Sequence, residues 1–546
     1  MTATTVSTTP AAATPPQPVV PPHRGHGAET FFVLGEGLLG DSAGGRAPAP
    51  AQDGAAAVAQ LAAVPPFRFS RMGPKGRATA RATRAELARA MTAGGGGSTG
   101  IPSGYTYLGQ FLDHDMTFDR TNVMLGTHIA PADLLQGRSP ALDLDSLYGA
   151  GPAEPASAGF YEADGRRLKT GKTEAVGTGR LAAHDGFDLP RKTGQKHANI
   201  PDFRNDENLA VAQTHCAFIR FHNRVLAEIG TSVPAAQRFA RARRAVVKHY
   251  QWMIRHDYLP RICDAAVVDD VFTNGRKLFE PGATPTDVPT MPIEFSVAAF
   301  RLGHSMIRRA YNWNVEFDNG NGTLDLLFSF TGTSGFLGNG SRLPSNWIAD
   351  WRRLYDFKQA ALKVPAAKSN KAMRIDTLLV NPLAALPPGS FGATAAPADP
   401  IVANLAFRNL ARAKMVKLAT GQGMAEFMNA KGVAVTKLTK AQVRDGSGGA
   451  GLGSLSADQR TALLDHTPLW FYVLREAELN GGRLTGVGAR IVAETFHRAI
   501  EGSRSSIVRD PAFRPRFGPD DHTFAMRDLL FFAFEGKQAL LNPLGD

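Results

Sequence analysis

One stretch of this chain gathers residue types that do chemistry. Tyr105–Arg120 reads YTYLGQFLDHDMTFDR, with His114 between Asp113 and Asp115. Gln110 lies four residues before His114. On a helix, residues i and i+4 share a face, so both side chains address one space. Asp115 falls about 100° further round and addresses another. The stretch therefore offers a His/Gln pair to one pocket and a hard oxygen ligand to a second. A neutral imidazole in such a pocket can take and return a proton near neutral pH. Taken alone, the same residues also suit a helix with solvated acids and a core histidine, so other stretches must decide.

Four do. Asp202–Arg224 reads DFRNDENLAVAQTHCAFIRFHNR, Phe300–Ile307 reads FRLGHSMI, and Arg408–Arg412 reads RNLAR. Ser139–Asp145, SPALDLD, has the look of a cation loop. Taken in chain order, the five stretches resemble the animal-type haem peroxidases of the peroxidase–cyclooxygenase superfamily, the group that includes myeloperoxidase and lactoperoxidase. The resemblance runs from about Tyr105 to Ala533, and the spacing from Arg204 to the His222-Asn223-Arg224 cluster is the family's.

The resemblance implies a mostly α fold, a single large helical domain around a buried haem b. His114 matches the distal histidine and Arg204 the distal arginine. His304 matches the proximal ligand to the haem iron, and Asn409 the acceptor of its imidazole N–H. Arg301 and Arg412 match the arginines beside the haem propionates. The chemistry asks for these types. Splitting hydrogen peroxide moves a proton from one oxygen to the other, a task for His114. Negative charge grows on the leaving oxygen, and a permanently cationic guanidinium, Arg204, stabilises it. Gln110 would hold pocket water or a small anion beside His114. As a neutral acceptor, Asn409 would leave His304 less imidazolate-like than a carboxylate would.

The resemblance also implies a calcium site built from Asp115, Ser139, the Ala141 carbonyl, Asp143 and Asp145. Oxygens in this number suit Ca2+. Ser139 and Asp145 stand where the family often has Thr and Ser. Asp113 and Glu207 match carboxylates that form ester bonds to haem methyl groups in mammalian relatives. Asn208 stands where myeloperoxidase has a methionine that forms a third link, so that link is absent.

The function expected is that of a haem peroxidase using hydrogen peroxide to oxidise small anions (iodide, bromide, thiocyanate) and phenolic donors. One rival is a fatty-acid dioxygenase of the cyclooxygenase side. Those enzymes carry a tyrosine three residues before the proximal histidine, where this chain has Arg301. A non-catalytic binding or adhesion protein is the other, and retention of His114, Arg204, His304 and Asn409 argues against it. His215, His222 and His249 read as structural or surface residues.

These side chains need a large scaffold, and the composition supplies one. The chain has 546 residues, 43% of them hydrophobic and 20% charged, enough to bury a sizeable core. No apolar run is long enough to cross a membrane as a helix. The N-terminal segment lacks the pattern of a secretory signal, which points to a cytoplasmic protein or one exported without such a signal. Two cysteines, Cys216 and Cys263, exclude a disulfide framework. A formal charge of +12 favours anionic partners, without the interleaved aromatics of a nucleic-acid footprint. Helical periodicity dominates. The expected organisation is a disordered tail over 1–28, an extension docking on the body over 29–100, and a haem peroxidase domain over 101–546. Gly94–Gly97 reads as a joint with the helical body starting after it, and Phe295–Arg309 reads as helical throughout.

Overall fold

A computed structural model describes residues 67–77, 79–121, 123–386 and 397–546. The tail and most of the docking extension lie outside the described residues. What is described is mostly helical, as expected. Seven helices of eleven residues or more carry the core: α1 (Arg81–Met91), α2 (Gly104–Met116), α3 (Leu209–Ile229), α4 (Ala235–Met253), α5 (Leu405–Met415), α6 (Leu469–Leu479) and α7 (Gly486–Glu501). Strands are short and serve as clasps. Phe67–Ser70 pairs antiparallel with Leu135–Gln136 and parallel with Met291–Pro292. Ser98–Pro102 pairs antiparallel with Lys371–Met373.

The helix limits follow from local chemistry. Asn208 caps α3, its Oδ1 accepting from the Val211 N–H at 2.9 Å, and Gly230, at φ 64°, ends it. Asn404 caps α5 in the same way through the Phe407 N–H at 3.1 Å. α2 buries Leu108, Phe111 and Leu112 completely, and packs on α3. Each such side chain contributes about 1.5–3 kcal/mol of burial. Phe111 stacks on Phe218 of α3 with ring centroids 4.6 Å apart. α4 runs on through a π turn, Ile254–Tyr258, which turns Tyr258 towards α2. The approach is so close that a Cβ at Gly109 would lie 2.3 Å from the Tyr258 hydroxyl.

Two expectations need correction. The helical body begins at Arg81, before the glycine run. Leu87, Ala88 and Met91 of α1 are fully buried, and α1 packs on α5. Phe295–Arg309 is not one helix. It breaks into Ile293–Ser296, a 3-10 turn Ala299–Leu302, and the short turn Gly303–Met306 that carries His304. Phe295, Phe300, Leu302 and Met306 are buried and the segment packs into α7 and α2, so tertiary contacts set the backbone path where periodicity suggests a helix.

A candidate haem cavity between two histidines

α2, the Phe203–Asp206 turn, the π turn and the His304 segment enclose one cavity. The space between these walls, open mouth included, is about 1050 Å³. Gln110, Asp113, His114, Arg204 and Glu207 line it together with His304, Arg301 and Arg412. Eight of the nine residues assigned above to catalysis or haem binding thus meet in one space, and Asn409 stands directly behind His304.

On the α2 side His114 is held at both ring nitrogens. Its Nδ1 lies 2.9 Å from Asn205 Oδ1, and Asn205 Nδ2 lies 2.9 Å from Nδ1 of the buried His215. Burial pushes the His215 imidazole down to about 3, so it is neutral and can accept from the Asn205 amide. The amide oxygen then takes the proton of His114 Nδ1. His114 Nε2 faces Glu207 Oε1 at 3.3 Å. Asp115 turns the opposite way, as the helical spacing predicts.

Gln110 is not an open water or anion holder. Its amide nitrogen donates to Glu207 Oε1, and its oxygen accepts from Asn208 Nδ2 at 2.7 Å. Both ends are satisfied by carboxylate and amide partners that outcompete a loosely held anion. Burial raises the Asp113 carboxyl above its ordinary value, and one of its oxygens accepts from the Thr117 hydroxyl at 3.2 Å.

Arg204 is gripped. Its Nε and Nη2 donate to the two oxygens of Asp202 at 3.0 and 2.7 Å, Nη2 also reaches the His114 carbonyl at 2.8 Å, and its face lies 4.4 Å from the Phe118 ring centroid.

On the other side, Asn409 Nδ2 lies 2.9 Å from His304 Nδ1. The expected acceptor oxygen instead takes Arg301 Nη1 at 3.3 Å. Turned over, the same amide presents its oxygen to a His304 Nδ1–H, the tautomer that leaves Nε2 free for a metal. Burial, with Arg301 nearby, pushes His304 down to about 3, which keeps it in the neutral form that ligates a metal. Burial also lowers Arg301 and Arg412 to about 10 each. Arg412 contacts Asp119, yet its Nη1 is buried with no hydrogen-bond partner. A cationic edge with an orphaned donor fits the carboxylates of a haem, and the neutral His304 fits its iron.

The implied calcium ligands do not fit. Among the described residues no group of three His, Cys, Asp or Glu side chains is placed to hold a metal ion. Asp115 is satisfied by the Ser146 N–H and hydroxyl at 3.1 and 2.7 Å and by the Tyr250 hydroxyl at 3.3 Å. Ser139 Oγ accepts from the Ala141 N–H at 3.2 Å, and both Asp143 oxygens lie 3.0 Å from the Arg504 N–H. Arg243 of α4 donates to Asp145 at 3.1 Å and to the Asp143 carbonyl at 3.4 Å. The loop carboxylates attract a cation, and a guanidinium supplies it.

Sequence reasoning gave no role to Asp202, Asn205, Arg138, Tyr107 or Tyr258. Asp202 and Asn205 flank Arg204 in the same motif, a usable signal. Tyr107 and Tyr258 line the cavity through tertiary packing alone.

A family model described as animal haem peroxidase matches residues 101–334. Over these residues the chain is similar to the animal-type haem peroxidases. It is 28% identical to rat thyroid peroxidase over 193 residues, which is 32% of this chain and 20% of that protein. A peroxidase-like protein of Margaritifera margaritifera is 25% identical over 251 residues, 38% of this chain and 32% of the relative. The matched stretches thus span a third or less of these relatives' length. Two solved structures share the fold. Peroxidase A of Dictyostelium discoideum has a TM-score of 0.55 at 15% identity, over 88% of this chain and 94% of that one. The fatty acid alpha-dioxygenase of Oryza sativa has a TM-score of 0.52 at 11% identity, over 87% and 80%.

Proposed function

We propose that this protein is a haem-dependent peroxidase that uses hydrogen peroxide to oxidise iodide, bromide or thiocyanate and phenolic donors. The observation that carries the reading is the arrangement of His114 with Arg204 and of His304 with Asn409 around a single cavity. A bound haem supplies the iron at which the O–O bond of peroxide is broken and the oxidising equivalents passed to substrate.

The residues of the chain do the rest. Asn205 orients His114, whose Nε2 takes a proton from one peroxide oxygen and returns it to the other. Asp202 and the His114 carbonyl fix Arg204, whose charge answers the negative charge of the leaving oxygen. His304 would ligate the iron, and Arg301 and Arg412 would hold the propionates. The net charge of +12 enriches small anions near the surface. Chloride is a poor substrate, since Asn208 cannot form the methionine link of the most oxidising relative. Asp113 and Glu207 are the carboxylates available for ester links.

A second reading, a fatty-acid dioxygenase, draws on the dioxygenase fold neighbours and on Tyr107 and Tyr258 in the cavity wall. Arg301 at the position of the dioxygenase tyrosine argues against it. Purified protein loaded with haem is assayed for peroxide-dependent oxidation of iodide, bromide, thiocyanate and phenols, and for oxygen uptake with unsaturated fatty acids. Peroxidase turnover is expected. Fatty-acid oxygenation without it would promote the second reading.

A further inference from the structure

We propose that Asp202 is the positioning residue for the distal guanidinium and that Arg138 locks it in place. This rests on the peroxidase reading of the cavity. Asp202 does not line the cavity; it acts through Arg204. Its Oδ1 accepts from the Arg204 backbone N–H at 3.1 Å and from Nε at 3.0 Å. Its Oδ2 accepts from Arg204 Nη2 at 2.7 Å and from Arg138 Nη2 at 2.5 Å. These four bonds fill the roughly four lone-pair sites of a carboxylate. The paired bonds to Nε and Nη2 fix the guanidinium plane as a single-point contact cannot. The second hydrogen of Nη2 goes to the carbonyl of His114, so Arg204 is registered against the base it works beside. Phe118 supports the remaining face.

All three charged side chains are buried, at 1% exposure for Asp202, 3% for Arg138 and 5% for Arg204. Against the upward push of burial, Arg204 and Arg138 hold the Asp202 carboxyl well below the usual range, so it stays ionised at working pH. Arg138 precedes Ser139, and through it the 139–145 loop reaches the distal arginine. Asp202 also caps the Phe203–Asp206 turn. A cap tolerates Asn, whereas the carboxylate pin does not: an Asn nitrogen would face the donors of Arg204 and Arg138.

That difference sets the test. Asp202→Asn is made in the wild type and in an Arg204→Ala background, and both are loaded with haem. Azide affinity is read by spectral titration, the peroxide rate constant by stopped flow, and affinity for neutral imidazole serves as a control. With Arg204 present, Asp202→Asn should lower azide affinity and the peroxide rate constant about tenfold to a hundredfold. Imidazole affinity should hold. With Arg204→Ala, the same change should move either by no more than about twofold. Arg138→Gln should give a smaller loss with the same dependence on Arg204, and it carries the test if Asp202→Asn does not fold. Unchanged azide affinity, or an equal loss with and without Arg204, overturns the proposal. A wild type that takes up no haem would fail the peroxidase reading instead. A crystal structure of Asp202→Asn would then decide: a displaced Arg204 guanidinium supports the pin, an unmoved one overturns it.

Discussion

The amide of Asn409 stands 2.9 Å from His304 Nδ1 while its oxygen is held by Arg301 at 3.3 Å. Three residues from two segments thus form one unit at the cavity floor, and the first prediction follows from it. His304→Ala should abolish or strongly alter the Soret band of haem-loaded protein. Asn409→Ala should keep a Soret band but weaken haem affinity about tenfold to a hundredfold, as loss of a ligand's outer partner does. Haem titration measures both, and wild-type protein with no Soret band would refute the site.

Arg204→Ala should slow the reaction with hydrogen peroxide by about two to three orders of magnitude, the cost of removing a charge-stabilising donor. Stopped-flow absorbance at the Soret maximum measures it. A loss below tenfold would remove Arg204 from the chemistry.

The ties around Asp145 make a prediction about calcium. Chelator treatment should leave the denaturation midpoint unchanged, because the donors are already bonded within the chain. Arg243→Met should cost about 1 kcal/mol, the scale of a partly exposed ion pair. Metal analysis that finds one calcium per active chain would show that the loop rearranges around an ion.

Asp113 and Glu207 both line the cavity. Brief peroxide treatment of haem-loaded protein should therefore leave part of the haem resistant to acid–acetone extraction. Asp113→Asn with Glu207→Gln should restore full extraction. Haem that extracts completely from treated wild type would show that these carboxylates form no ester.

Glu476 predicts a pH dependence of stability. Its oxygens accept from the Val487 and Gly488 N–H groups at 3.2 and 3.1 Å, and burial raises its carboxyl to about 8. The folded state then holds a proton that the unfolded state releases above its ordinary carboxyl range. The stability from this group is full at low pH and lost as pH rises towards about 8. Relative to Glu476→Gln, wild-type stability should fall by up to about 1.4 kcal/mol per pH unit across pH 6 to 8. Urea melts at several pH values check it; parallel curves would refute it.

The sequence by itself determined which residue types stand at which spacing for the cavity to use. Gln110 and His114 share a helix face because their spacing matches the helical repeat, and that needs no tertiary information. The helical class was local in the same sense. Tertiary structure decided everything that joins distant segments. Arg138 meets Asp202 across 64 residues and Arg243 meets Asp145 across 98. The same holds for the commitment of Gln110 to Glu207, the meeting of Asn409 with His304 and Arg301, the break of the His304 segment into short turns and the entry of Tyr258 into the wall. The physical reason is that a side chain's type states which bonds it can make, whereas burial and competition among donors decide which it does make. Only the packed chain sets those terms.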